Sequence, residues 1–143
     1  MKTITAANSV FALAITGLYA SPQVLQGYAA DDGFTTEAVE NAEVVMGLDG
    51  HMSAGFIFNP VKQTIMLMPD SPSLDIFNNW ALAQLASREV LVANASISLP
   101  AIGKKYVLTR GFLTSTTPVP DVKKVLAAVK YMITWNTVVG ASI

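Results

Sequence analysis

The sequence predicts a mainly β protein: an antiparallel sandwich or barrel with one α-helix on its flank, over about residues 71–90. Three observations lead to this fold class. Short runs rich in β-branched and aromatic residues recur along the chain, separated by Gly and Pro turns. Only one stretch has convincing helical periodicity. The chain of 143 residues has the size of one domain, so residues 1–143 are assigned to a single sandwich.

The helix follows a strand at residues 64–68, which ends at Pro69. Asp70 and Ser71 offer oxygens for an N-cap, and Pro72 suits the first turn because its missing N–H costs nothing there. The expected apolar stripe, which should lie against a sheet, consists of Leu74, Phe77, Ala81 and Leu85, with Trp80 and Leu82 on its shoulders.

The remaining elements are expected to be strands joined by tight turns. A turn at Thr16-Gly17 joins the first two strands, and a turn at residues 100–103 forms a later hairpin. Residues 114–120 are expected to be a loop, and residues 122–130 are helix-like in composition but ambiguous. The glycine-rich segment at residues 46–55 is expected to be a mobile loop or a hairpin tip. The expected strands are residues 9–15, 24–28, 34–40, 44–48, 55–58, 61–68, 95–99, 105–113 and 131–138.

The composition points to a protein that hides apolar surface against copies of itself. Charged residues make up 13% of the chain, about half the share usual in soluble domains, and mean hydropathy is +0.45. No run of 18 apolar residues occurs, so a transmembrane helix does not account for this. An obligate oligomer, in which copies cover one another's apolar surface, does account for the low charge and high hydropathy.

The charges are unevenly distributed along the chain. Residues 31–49 contain only acidic charges, whereas seven of the nine charges from Arg88 onward are Lys or Arg. This division favours complementary surfaces between copies, although two ordinary solvated faces would also explain it.

A search for catalytic or binding chemistry finds no convincing site. His51 is the only histidine and cysteine is absent, so paired imidazole or thiolate ligands for a metal do not exist. Neither of the common glycine-rich phosphate loops occurs, and the basic pairs at residues 104–105 and 123–124 form no continuous stripe for DNA. The sequence therefore predicts a protein that is not an enzyme and binds no cofactor or metal.

The N-terminus leaves a second interpretation open. Lys2 followed by an apolar run up to Ala20 is typical of a signal peptide, but the same run also fits a strand and a turn. If it is a signal peptide, the chain is a secreted or surface β-sandwich binding domain.

Several motifs in order resemble the tail-tube proteins of contractile-tailed bacteriophages, over roughly residues 8 to 138. The resemblance is most specific at Asp70–Asp75, where a strand ends in DSPSLD and the lone helix follows. The other matching segments are Asn8–Val10, Ile15–Gly17, GYAADDGF at 27–34, Gly50–Gly55, TIMLMPDSPSLDIFNNW at 64–80 and YMITWNTV at 131–138.

This resemblance implies a structural virion protein whose hexameric rings stack into a hollow inner tube. It implies a small β-sandwich or barrel with one helix, in which strands from six copies close a barrel around the lumen. The implied partners are other copies of the chain, the tail sheath protein, and the tape-measure and baseplate or terminator proteins. Double-stranded DNA would pass through without specific binding. The protein would be assembled in the host cytoplasm and would reside in the phage tail.

The resemblance and the charge pattern together suggest roles for three groups of residues. An acidic wall would repel DNA phosphates and so let DNA slide. Candidates for this lumen wall are Asp31, Asp32, Glu37, Glu40 and Glu43. Candidates for a ring-stacking loop are Gly47, Asp49, Gly50, His51 and Met52. Candidates for contacts with a neighbouring subunit or the sheath are Asn78, Trp80 and Gln84.

Overall fold

A computed structural model describes residues 9–25, 34–117, 119, 122 and 125–142. In this part of the chain, strands predominate and one α-helix occurs. The elements are β1 (Val10–Ile15), β2 (Tyr19–Val24), β3 (Phe34–Thr36), β4 (Ala42–Met46), β5 (Met52–Phe56), β6 (Val61–Leu67), α1 (Leu74–Ser87), β7 (Ala93–Leu99), β8 (Lys104–Thr116) and β9 (Val129–Ser142). The predicted fold class is confirmed.

Seven strands form one antiparallel sheet in the order β2-β1-β7-β8-β9-β6-β3, and β4 and β5 form a separate hairpin. The sheet curls so that its two ends face each other: Phe11 of β1 packs edge-on against Phe34 of β3, with ring centroids 5.3 Å apart. The apolar side chains between the two halves of the sheet form one core. This curled sheet is the sandwich that the sequence predicts.

Irregular pairing between strands allows the sheet to curl. Register shifts occur in the β1–β2, β7–β8 and β8–β9 ladders. At the β7–β8 shift Arg110 has a φ of 50°, and its backbone N–H donates to a side-chain atom of β7, Asn94 Oδ1, at 3.2 Å. Such bulges bend a strand and increase its local twist.

A buried polar contact that the sequence pattern did not predict lies in the core. The fully buried Trp135 donates from Nε1 to Oε1 of the fully buried Gln63 at 3.0 Å. Trp135 also lies directly over Gly111, where a Cβ would come within 2.4 Å of its ring. Gln63 could have been found from the sequence, because it has the same alternation phase as Ile65 and Leu67 in β6.

The helix packs on the sheet as expected, and Leu74, Phe77 and Ala81 of the expected stripe contact the core. It begins at Leu74 rather than near residue 71, so Asp70, Ser71 and Pro72 precede it. Phe77 stacks on Tyr131 with centroids 4.5 Å apart, and Trp80 is fully buried. The expected stripe is therefore wrong at Leu85, which is 70% exposed.

Trp80 decides this orientation. Its large indole gains the most from burial, and its Nε1 donates to the backbone oxygen of Leu91 at 3.3 Å. The buried residues of the helix are Ile76, Phe77 and Trp80.

Most strand predictions are confirmed, with corrections at their ends. Strand β8 continues to Thr116, so residues 114–116 are not a loop, and β3 ends at Thr36 instead of residue 40. The return strand β2 begins at Tyr19, earlier than expected, and residues 26–28 of the expected strand lie outside the described residues. In the ambiguous segment, Val122 forms an isolated bridge with Leu126 before β9 begins at Val129.

The apolar run near the N-terminus forms strand β1. Phe11, Leu13 and Ile15 are fully buried in the core. The strand interpretation of this run is therefore the one that the structure supports, since removal of the first twenty residues would open the core.

Candidate assembly surfaces

The β4–β5 hairpin is exposed along its whole length. All ten residues of its two strands are exposed, including Val44, Val45 and Met46 at 57, 62 and 64%. A two-stranded hairpin without a partner surface is only marginally stable in water. Its apolar side chains make it the most conspicuous candidate contact surface in the described part of the chain.

A compact turn forms the tip of the hairpin, at the expected ring-stacking residues. The Gly47 N–H donates to the oxygen of His51 at 2.7 Å, and the His51 N–H donates to Asp49 Oδ1 at 3.1 Å. Gly50 has a φ of 86°, a conformation that glycine adopts without strain. Residues 47–51 thus form a hairpin tip, one of the two predicted alternatives. Met52 is the first residue of β5.

Of the acidic candidates that the structure describes, Glu37 and Glu40 lie between β3 and the hairpin, and Glu43 lies in β4. Glu37, Glu40 and Glu43 are all exposed. The backbone here is tethered to the sheet side, since the Glu37 N–H donates to the oxygen of Lys62 at 2.9 Å and Asn59 Nδ2 donates to the oxygen of Glu40 at 2.9 Å. Asp31 and Asp32 lie outside the described residues.

The helix residues that are candidates for contacts with a subunit or the sheath differ in exposure and in hydrogen bonding. Asn78 is exposed and accepts a hydrogen bond at Oδ1 from the Tyr131 hydroxyl at 3.2 Å. Burial raises the pKa of that Tyr131 hydroxyl above its usual value. Gln84 is partly exposed, and its Oε1 accepts from the Leu91 N–H at 3.2 Å.

Trp80 is not a contact residue. Because its side chain is fully buried against the core, it cannot touch a neighbouring subunit or a sheath, and that prediction is wrong. The apolar side chains that the helix does present outward are Leu82 and Leu85.

A second apolar surface lies on the side of the sheet that faces away from the core. Five adjacent strands bring Val24, Ala12, Ser96, Val107 and Val139 directly opposite one another in one lateral row. The three valines in this row are 44–57% exposed. We call this set the valine row. It was missed in the sequence because its members are far apart in the chain and only strand register aligns them.

Neither a metal-binding cluster nor a membrane-spanning helix occurs in the residues that the structure describes. Within them, no three His, Asp or Glu side chains cluster closely enough to hold a metal ion. Of the helices the structure describes, none has the length and apolar character needed to cross a membrane.

A comparison with known protein families finds one match over nearly the whole chain. A family model described as "Tail fiber protein gp32" matches residues 2–139. The chain belongs to this family. It is therefore a phage tail-related structural protein. A search of curated protein sequences finds no significant match.

Solved structures similar to this gp32-family chain come from contractile injection systems. A chain from the tube-terminating cap of the anti-feeding prophage matches with a TM-score of 0.64 and 13% identity, over 100% of this chain and 93% of its own length. A chain from the sheath–tube complex of PVC, an extracellular contractile injection system, matches with a TM-score of 0.58 and 13% identity, over 93% of this chain and 88% of its own length. A chain from the PVC sheath/tube terminator matches with a TM-score of 0.58 and 13% identity, over 99% of both chains. At these identities the likeness shows a shared fold, so the expected tail-tube fold is confirmed.

Proposed function

We propose that this protein forms the inner tail tube of a contractile phage tail, as hexameric rings stacked into a conduit for double-stranded DNA. The observation that carries the proposal is the shared fold, which extends over nearly the full length of chains from tube, terminator and cap assemblies. The low charge content and the exposed hairpin support it, because both suit a subunit that is covered by copies of itself.

Within the proposed tube, three surfaces have separate roles. Glu37, Glu40 and Glu43, together with Asp31 and Asp32, line the lumen and repel the phosphates of passing DNA. The hairpin tip at residues 47–51, together with Met52 beside it, reaches a subunit of the adjacent ring. On the outer side of the helix, Asn78 and Gln84 contact a neighbouring subunit or the sheath.

Negative-stain microscopy of the purified protein tests the proposal. Six-fold rings or tubes with a central hole are expected when the concentration is raised. A protein that stays monomeric at every concentration, or that forms elongated particles without a lumen, would refute it; the latter result would favour the fibre that the family's description names.

A second candidate function is that of a ring that ends the tube. It is favoured by the cap chain, whose TM-score of 0.64 exceeds the 0.58 of the chain from the sheath–tube complex. A terminating ring would form single or paired hexamers that do not extend, whereas a tube protein forms filaments of many rings.

The proposed acidic lumen has its own test. In particles whose tubes form, the double substitution Glu40→Lys and Glu43→Lys should reduce infectivity by slowing DNA ejection, because two exposed carboxylates become cations that attract phosphate. Substituting the exposed Glu89 with Lys, beyond the end of the helix, provides the matched control. Equal infectivity of the double variant and the control would place these carboxylates away from the DNA path.

A further inference from the structure

The β4–β5 hairpin has two chemically different faces. Cross-strand pairing places Ala42 opposite Phe56, Val44 opposite Ala54, and Met46 opposite Met52. Because side chains alternate along a strand, these six apolar residues share one face. The other face holds Glu43, Val45, Ser53 and Gly55 and is mixed in character. One face of the hairpin therefore consists of three apolar pairs, and no other part of the described chain covers that face.

The valine row offers a surface of matching size and character. Its five strands span about 19 Å at the usual strand spacing of about 4.8 Å, while the five-residue strands of the hairpin are about 17 Å long. Val10, Ser98, Lys105 and Ala141 form a second lateral row beside it. Two sheet surfaces of this kind, with small and β-branched side chains, can pack face to face at about 10 Å.

Charge points to the same pairing. From Phe34 to Val61 the chain contains no Lys or Arg, so the hairpin and its approach carry only the charges of Glu37, Glu40, Glu43 and Asp49. The strands β1, β2, β7, β8 and β9 contain no Asp or Glu, and their charged residues are Lys104, Lys105, Arg110 and Lys130. An acidic hairpin and a basic sheet surface on the same chain attract each other between copies.

The edge strands of the sheet are poor alternative partners for the hairpin of another copy. Strand β2 contains Pro22, and a register shift separates two parts of its ladder with β1. Strand β3 has only three residues. Proline, bulges and short edge strands all hinder pairing with a strand from another chain. Packing through side-chain faces avoids these obstacles.

We propose that the apolar face of the β4–β5 hairpin packs on the valine row of a second copy of this chain. The inference rests on the proposed self-assembly and adds to it the receiving surface and the face of the hairpin that is used. The hairpin contributes Val44 and Met46 to the contact, and the receiving copy contributes Val107 and Val139, with Lys105 near the acidic approach of the hairpin.

Adjacent valines on the hairpin give a matched test. Val44 and Val45 are similarly exposed but lie on opposite faces. Val44→Asp would bury a carboxylate in the contact and should raise the protein concentration needed for assembly about tenfold or more, as measured by sedimentation. Val45→Asp should leave that concentration within about twofold. Equal effects of the two substitutions would overturn the assignment of the faces.

Cross-linking identifies the receiving surface. Because the chain has no cysteine, Val44→Cys can be combined in turn with Val24→Cys, Val107→Cys or Val139→Cys without background. Oxidation of assembled protein should join copies covalently in at least one of these pairs, and Val45→Cys with the same partners should not. Circular dichroism of the monomeric variants establishes that they fold.

The outcomes separate this inference from the proposed function. If rings or tubes form, but no Val44 pair cross-links above the Val45 control, the inference is overturned and the tube proposal stands. If the unmodified protein forms no assembly, both are overturned.

Discussion

The buried contact between Gln63 and Trp135 should make a measurable contribution to stability. Gln63→Leu keeps nearly the same volume but removes the oxygen that accepts the indole N–H at 3.0 Å. Both side chains are fully buried, so water cannot replace that oxygen. An unpaired buried donor costs about 1–3 kcal/mol, and we expect a loss of about 2 kcal/mol in the free energy of unfolding. For a chain of this length, that corresponds to a decrease in Tm of about 6 °C.

Urea unfolding followed by circular dichroism measures this loss, and a double-mutant cycle assigns its cause. In a Trp135→Phe background no indole N–H remains, so Gln63→Leu should cost less than about 0.5 kcal/mol there. Gln23→Leu is the control, because the Gln23 amide bonds Ser21 at the surface. A loss of the same size in both backgrounds would refute the reasoning and assign the effect to packing or to the 3.4 Å contact between Gln63 Nε2 and Thr36 Oγ1.

Three further predictions concern single positions. Gly111→Ala should destabilise the protein by about 3 kcal/mol in thermal unfolding, because its new Cβ would lie 2.4 Å from the Trp135 ring. Gly55→Ala is the control and should change stability by less than about 0.5 kcal/mol, because the space around Gly55 is open. Trp80→Ala should cost about 3–5 kcal/mol in the folding of the isolated subunit, because it empties a buried site, while Leu85→Ala at an exposed site should have little effect there. Burial raises the pKa of Tyr131 in the folded protein above its ordinary value of 10.0, so the protonated phenol is the form that folding favours. The free energy of unfolding should therefore be unaffected well below about pH 10 and fall as the pH rises through the folded pKa of Tyr131. This fall should be steeper in the wild type than in Tyr131→Phe. Urea unfolding between about pH 9 and 11 measures the difference.

The strands were predictable because their local patterns match their environment. In β1, residues 11, 13 and 15 alternate with more exposed neighbours, and the sheet buries that phase. The hairpin of β7 and β8 was recognisable from its Pro-to-Gly turn. Local pattern failed where a distant contact decides the outcome: Thr114 to Thr116 read as loop residues, but pairing with β9 extends the strand through them.

The helix shows a similar limit. Its periodicity fits more than one inward direction, and the structure buries Trp80 while Leu85 stays exposed. The candidate surfaces also differ in whether a local sequence signal predicts them. The hairpin tip could be predicted from its glycines, whereas the valine row depends on the alignment of five strands and has no local signal.

Strands β8 and β9 cross from one half of the curled sheet to the other. Residues 104–111 of β8 pair with β7, while residues 129–135 of β9 pair with β6, and the two long strands pair with each other in both halves. The two halves are thus joined by continuous backbone and not by side-chain packing alone. A pull along these strands loads many ladder hydrogen bonds at once, in shear, so neither half can yield separately. A subunit built in this way resists separation of its two halves when a load runs along β8 and β9.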